Sequence, residues 1–325
     1  MAVIGIDLGG TKITGALFDE DGNILCRISH FLVKRKGDEV ALLVLQTIDE
    51  VIGNSGCRKD DINALGICVP GIANSKTGQI WAPNIEGWEN FPLQKMLEAH
   101  YSNSRVKISI ASDRTCYILG EKWKGAAKNA ANAIYISIGT GIGIGLLADG
   151  NILHGHGDIV GSAGWFAMGT PFREEFKRYG CFESYASGDG ITRQVKKILE
   201  EGILFRESGL YKKKIESLST KDIFDAVSND DPLALFVIEK AIEMWGMASA
   251  NLVSLLNPEI IIWGGGVFGP ATQFIGPIYE EASRWAQPIA IKQVRFVESI
   301  LKGDAGLYGA GYMALTSIKN DGKGV

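Results

Sequence analysis

The sequence predicts a two-domain α/β protein built on a duplicated unit, and three observations lead there. Short β-branched runs alternate with amphipathic helical stretches along the chain. Its 325 residues exceed a single typical domain of about 100–200 residues. The segment DLGGTKITGALFDEDGNIL, starting at Asp7, is echoed by SIGTGIGIGLLADGNIL, starting at Ser137. Both read as strand, Gly/Thr turn, strand and then the pentapeptide DGNIL. Two unrelated hairpins sharing common Asp-Gly and Gly-Asn turns are the alternative.

In chain order, Val3–Ile6 is a strand ending at Asp7, Ile13–Phe18 a second, and Asp21-Gly22-Asn23 turns into a third from Ile24. Glu39–Ile52 carries apolar residues at helical spacing, and Ala64–Val69 is a buried strand stopped by Pro70-Gly71. Pro92–Tyr101 suits a helix with proline in its first turn. Val106–Ala111 is a strand handing over at Asp113 to a helix over Thr115–Trp123. Composition then shifts to small and polar residues in KGAAKNAANA (124–133), where the domain boundary is placed. The second half starts again with strand Ile134–Ile138, the turn Gly139-Thr140-Gly141 and an alternating strand. A long helix over Leu233–Leu256 ends at Asn257-Pro258; strand Ile260–Trp263, the turn Gly264-Gly265-Gly266 and a last helix over Gly306–Ser317 follow.

Composition narrows the class. A net charge of −4 gives no global pull toward nucleic acid or anionic membrane. At 46% hydrophobic and 22% charged, the chain is an ordinary globular one. Five widely spaced cysteines without a CxxC pair read as reduced thiols. The N-terminus lacks the pattern of a signal peptide, so a cytoplasmic location is expected. Glycine, at 41 residues, is abundant and clustered in turns.

Those turns carry the chemistry. Glycine lets the backbone approach a ligand and aim N–H groups at an anion, and a threonine hydroxyl adds a donor. The chain has no GxxxxGK[ST] loop, and its first two glycine turns open strands, which excludes the two common nucleotide fingerprints. Phosphate cradled between two β-hairpins remains. Phosphoryl transfer then needs charge neutralisation and a base for the attacking hydroxyl. Asp7 suits Mg²⁺, directly or through water, and Lys12 suits phosphate charge. Asp113, just past a strand end, is the candidate general base; a helix N-cap is its alternative role.

Together these residues resemble the ROK family of sugar kinases and repressors, whose fold is the two-domain actin-like, ribonuclease H-like ATPase fold with duplicated βββαβαβα-type domains. GIDLGGTKITGAL is similar to the family's first phosphate loop, GICVPGIANSKTGQIWAPNIEGW to its sugar-side loop and SIGTGIGIG to its second phosphate loop. NPEIIIWGGGV looks like the adenosine turn and DAGLYGAGYMAL like the closing helix. The resemblance implies domains at 1–125 plus 305–325 and at 126–304. It implies Asp113 as catalytic base, with Gly9, Gly10, Thr11, Lys12, Thr140 and Gly141 holding phosphates of ATP, assisted by Mg²⁺ at Asp7. Gly265 and Gly266 would border the adenosine, and Gly71, Asn84, Ser112, Ser162, Trp165 and Glu183 would face the acceptor. The family's repressors carry a helix-turn-helix domain ahead of the phosphate loop; none is expected here. A homodimer is expected, with neither nucleic acid nor membrane as partner.

The acceptor side departs from the family. Its ExGH signature, whose Glu and His touch the sugar, falls on Ser162-Ala163-Gly164-Trp165. Its zinc ligands fall on Trp165, Glu174, Phe176 and Cys181, which leaves one thiol where a tetrahedral site needs four ligands, so no zinc is expected. Ser112 stands where the family has asparagine, while Glu183 matches a family sugar contact. Of the histidines (His30, His100, His154, His156), the HGHGD pair reads as a loop near the site, with a metal pair as its alternative. The expectation is an ATP-dependent kinase of a sugar or sugar-like polyol with non-standard acceptor choice, for which glucose is a poor substrate. A catalytically silent sugar sensor is the alternative, and a chaperone-like or cytoskeletal ATPase is the third.

Overall fold

The computed structural model describes residues 2–102 and 105–319. Residues 1, 103, 104 and 320–325, which the expected domain limits include, lie outside the described residues. The first half runs β1 (Ala2–Leu8), β2 (Lys12–Phe18), β3 (Ile24–Phe31), α1 (Asp38–Ser55), β4 (Ile62–Val69), a small hairpin of β5 (Ile72–Ala73) and β6 (Ile80–Trp81), α2 (Leu93–His100), β7 (Lys107–Ser112) and α3 (Asp113–Lys124). The second runs β8 (Ala133–Ile138), β9 (Ile142–Ala148), β10 (Asn151–Ile152), the helices α4 (Phe176–Tyr179), α5 (Cys181–Ala186), α6 (Gly188–Glu201), α7 (Thr220–Val227) and α8 (Pro232–Leu256), then β11 (Ile260–Gly264), α9 (Ile275–Trp285), β12 (Arg295–Glu298) and α10 (Ala305–Lys319).

The duplication is visible in the topology. One sheet has the order β3-β2-β1-β4-β7 and the other β10-β9-β8-β11-β12. In each, the first three strands pair antiparallel and the last two run parallel to the central one. Both DGNIL segments turn from the second strand into the third, and Gly22 and Gly150 share the same φ of 80°. Coincidence of two hairpins does not produce matching sheets, so the repeat is structural.

Strand alternation gives each sheet two apolar faces. Ile4, Ile6, Leu8, Ile13, Leu65 and Ile67 pack on α1, while Val3, Ala16, Phe18 and Ala64 meet Leu307, Ala314 and Leu315 of α10. In the second sheet Ile134, Ile136, Ile261 and Trp263 pack on α8, while Tyr135, Leu147, Ile260 and Ile262 meet Ile118 of α3. The two helices are thus exchanged. α3 leaves the first sheet and lies on the second, and α10 leaves the second and lies on the first. They cross so closely that a Cβ at Gly309 would sit 1.8 Å from the Cys116 carbonyl oxygen. No helix among the described residues is long and apolar enough to cross a membrane.

β4 begins at Ile62, two residues before the expected start, and two helix starts also differ from the sequence expectation. Pro92 is the N-cap residue of α2 and lies outside its first turn. α3 starts at Asp113, two residues early, because Ser112 caps it. β5, β6, β12, α4–α7 and α9 went unread, being short or embedded in irregular, glycine-rich stretches.

Buried Glu121 on α3 fastens this crossing. It accepts from Ser299 Oγ at 2.5 Å, the Leu301 N–H at 3.2 Å and the Ala126 N–H at 2.6 Å. Glu121→Ala strands all three donors, and urea unfolding should register a loss of about 2–4 kcal/mol. An unchanged unfolding free energy would show that solvent replaces the carboxylate there.

Candidate active site

A cavity of about 480 Å³ opens where the carboxyl ends of β4 and β7 meet the β8–β9 turn. Open α/β sheets place ligands at such strand ends. Its wall includes Gly71, Trp81 and Asn84 from the first half, Asp113, Arg114 and Tyr117 from α3, and Gly139–Gly143, Ser162, Trp165 and Glu183 from the second half. Eight expected residues (Gly71, Asn84, Asp113, Thr140, Gly141, Ser162, Trp165 and Glu183) therefore share one space.

The start of α3 positions Asp113. Ser112 Oγ accepts the Thr115 N–H at 3.4 Å and also hydrogen-bonds Thr115 Oγ1 at 3.2 Å. Ser112 is thus the N-cap, is buried, and lies outside the cavity wall. Asp113 sits one residue further in, so the cap role weighed for it belongs to its neighbour. Burial raises the Asp113 carboxyl from its ordinary value to about 6, against the lowering effect of the Arg114 charge and the Arg114 N–H. That value suits a group that must be ionised near neutrality and then accept a proton.

Arg114 escaped the sequence reading. Its Nη1 donates to Ser162 Oγ at 2.9 Å and its Nη2 to the Gly71 carbonyl at 3.3 Å, bridging the two halves across the cavity. Ser162 Oγ in turn donates to the Ile159 carbonyl at 2.9 Å. The alternating glycines of β9 make this possible. A Cβ at Gly143 would lie 2.8 Å from Arg114 Cδ, and one at Gly145 would lie 2.2 Å from the Arg114 carbonyl oxygen. A cation in the first turn of a helix opposes the helix dipole, and that was the available signal. Trp81, 45% exposed at the cavity, was also missed; with Trp165 at 57% it supplies two open indole faces. Gly71, at φ 84°, approaches β6 so closely that a Cβ would meet the Trp81 carbonyl oxygen at 2.1 Å.

The second glycine turn is shared. Gly139 and Thr140 line both this cavity and a groove of about 550 Å³ formed with Gly188, Thr220, Phe224, Gly266 and Pro270. Gly188 N–H donates to the Gly139 carbonyl at 2.8 Å, fixing the N-terminus of α6 against the turn. Gly265, at φ 86°, lies against the backbone of Ile138, and Gly266 is open to the groove. The contributions of α6 and α7 were not legible. Glu183 accepts the Ile142 N–H at 2.7 Å and is confined between Gly141 and Gly164. Burial raises its carboxyl above the ordinary value, against that hydrogen bond.

The first glycine turn stands apart. Gly9 N–H donates to the Lys12 carbonyl at 2.9 Å, and Gly10 abuts Asn84, with its ideal Cβ 3.1 Å from Nδ2. Thr11 and Lys12 are exposed and line neither cavity nor groove. Asp7 lines a third hollow, of about 430 Å³, that also touches Gly265, Gly266 and Lys302. Burial raises its carboxyl to about 6; a Cys68 thiol hydrogen bond opposes this, Asp113 adds to it, and Lys12 opposes it. A half-buried carboxylate short of countercharge at the edge of a hollow fits Mg²⁺, which takes one or two carboxylates and fills its remaining positions with water and phosphate oxygens.

The positions matching the family's zinc ligands are scattered in character. Trp165 is exposed, Glu174 pairs with Lys177 at 2.8 Å, and Cys181 is buried. Phe176 stacks edge-on with Phe172 and Tyr185, so ring packing shapes this segment.

The ROK family profile matches residues 3–317. The chain is 34% identical over 321 residues to a glucokinase of Halalkalibacterium halodurans, covering 95% of this chain and 94% of that one. It is 31% identical over 317 residues to a glucokinase of Thermotoga maritima, covering 95% and 96%. The crystal structure of a ROK family glucokinase from Streptomyces griseus, in complex with glucose and AMPPNP, matches at a TM-score of 0.76 and 25% identity, covering 97% of this chain and all of that one. With its duplicated sheets and exchanged helices, the fold is the actin-like ATPase fold, and the chain belongs to the ROK family.

Proposed function

We propose that the protein is an ATP-dependent kinase phosphorylating a hydroxyl of a sugar or sugar-like polyol, with an acceptor choice different from that of its glucokinase relatives. One observation carries this reading. Gly139 and Thr140 form the partition between the groove bordered by Gly266 and the cavity holding Asp113. A nucleotide seated in the groove would present its terminal phosphate at that partition, with Asp113 facing it from the other side.

The chemistry then balances. The acceptor oxygen forms a bond to the γ-phosphorus, the bond from that phosphorus to the β–γ bridging oxygen breaks, and ADP leaves with the electron pair. The hydroxyl proton passes to the Asp113 carboxylate. Thr140 and Gly141, with Gly9, Gly10, Thr11 and Lys12 brought in as the cleft closes, would hold phosphate oxygens through N–H, hydroxyl and ammonium donors. Gly265 and Gly266 would border the adenosine. Asp7 would hold Mg²⁺, which when bound neutralises phosphate charge. Asn84, Glu183 and the backbone of Gly71 would orient the acceptor, with Trp81 and Trp165 offering apolar faces to the C–H side of a ring.

The test is ADP formation with ATP and a panel of hexoses, amino sugars, anhydrosugars and cyclitols. Acceptor-dependent ADP release supports the kinase reading. Sugar binding by calorimetry with no ADP from any member would replace it with the silent sensor.

A further inference from the structure

We infer that the acceptor carries an anionic group, a carboxylate or a phosphate monoester, and that Arg114 binds it. This rests on the kinase reading and names the substrate class of the same site. Arg114 lies in the cavity wall beside the candidate base. Both of its hydrogen-bond partners, Ser162 Oγ and the Gly71 carbonyl, are neutral. A guanidinium has five N–H donors in a planar fork. Two are spent here; among the described residues no carboxylate lies within ion-pair distance of the fork.

The charge inventory of the cavity points the same way. Asp113 supplies the nearest negative charge, yet the reaction neutralises it when the acceptor proton arrives, leaving the guanidinium without a countercharge. Glu183 also lines the cavity, but one of its oxygens is taken by the Ile142 N–H and it forms no ion pair with Arg114. The position that aligns with the family's sugar-binding glutamate is Ser162, and its hydroxyl now accepts from Arg114. A cavity with an acceptor-side carboxylate replaced by a serine and a guanidinium suits an acceptor that brings the carboxylate itself. Guanidinium-to-carboxylate and guanidinium-to-phosphate pairs are bidentate and planar, so the fork would fix orientation as well as charge. Gly143 reinforces the assignment, because a side chain there would displace the Arg114 stem from the cavity wall, while Gly145 leaves room for the α3 backbone at the Arg114 carbonyl.

The experiment compares kcat/KM for D-glucuronate, D-galacturonate and D-gluconate, and for glucose 6-phosphate as the phosphate arm, against D-glucose, D-galactose and sorbitol. The same compounds are titrated calorimetrically in the presence of ADP. Wild type should favour at least one anionic member over its neutral parent by about tenfold or more. In Arg114→Gln that ratio should fall to near unity, and Arg114→Lys, which keeps charge without the fork, should lie between. A uronate or aldonate preference identifies the carboxylate source, and preference for the hexose phosphate identifies the other. Neutral acceptors used as well as or better than every anionic one would overturn the inference while leaving the kinase reading intact. Arg114-dependent binding of an acid without ADP release would do the reverse. Binding of acids that survives Arg114→Gln would assign the arginine a bracing role only.

Discussion

Asp113→Asn should lower kcat by at least about 10²-fold, the range for loss of a general base. Acceptor affinity, read by calorimetry with ADP, should change far less. The substitution keeps the shape and one acceptor oxygen for the Arg114 N–H, at 2.8 Å from Asp113 Oδ1, so the start of α3 stays intact. Ser112 remains the cap, and little change in melting temperature is expected. Unaltered turnover would remove Asp113 from the chemistry. The pH profile gives an independent reading. Burial raises the Asp113 carboxyl to about 6, and the base acts only when ionised. kcat/KM should therefore be level above about pH 7 and fall about tenfold per unit as pH drops well below 6. Asp7, raised to about 6 by burial and in part by Asp113, titrates in the same window. The acid limb then belongs to the pair and steepens where both protonate. In Asp113→Asn the limb that remains should belong to Asp7 alone. An acid limb centred near 4 in the wild type would show that the carboxyl is not held as its burial implies.

What the sequence disclosed follows from how locally each feature is encoded. The two β-hairpins, their glycine turns and the DGNIL repeat are short, contiguous patterns, and each reappears in a sheet of matching order. Asp113 was legible because a strand end and a helix start meet there. The cavity wall was less legible, since Gly71, Arg114, Gly143 and Ser162 come together only through the crossing of α3 onto the second sheet. No spacing rule reports that convergence. Arg114 shows the limit well. Its mismatch with the helix dipole is local and visible, but its meaning depends on Ser162, 48 positions away. The groove beside Gly266 was half-read for a similar reason. Its far wall is built from the starts of α6 and α7, where polar capping residues, Ser187 and Ser219, look like ordinary loop punctuation.

Under the proposed acceptor choice, efficient glucose use should require three substitutions. If Glu and His at positions 162 and 165 alone made the family's sugar site, Ser162→Glu/Trp165→His would install it. Here the new carboxylate would arrive where Ser162 Oγ already accepts from Arg114 Nη1 at 2.9 Å, and it would pair with the guanidinium. A carboxylate so engaged has little left for sugar hydroxyls, and the pair would also cancel the charge proposed to recruit an anionic acceptor. The double variant is therefore expected to lose preference for the acid while gaining little toward glucose. Adding Arg114→Ala frees the carboxylate and opens the space beside Gly143. Each charge-assisted hydrogen bond to a sugar hydroxyl contributes about 1.5–3 kcal/mol. Two such bonds correspond to a gain on the order of 10²–10⁴ in kcat/KM for glucose over wild type. Ser162→Glu/Trp165→His reaching that gain without the third change would refute the pairing with Arg114. Wild-type glucose phosphorylation at ordinary sugar-kinase efficiency would refute the altered acceptor choice itself, because Ser162 and Trp165 would then suffice where a carboxylate and an imidazole were thought necessary.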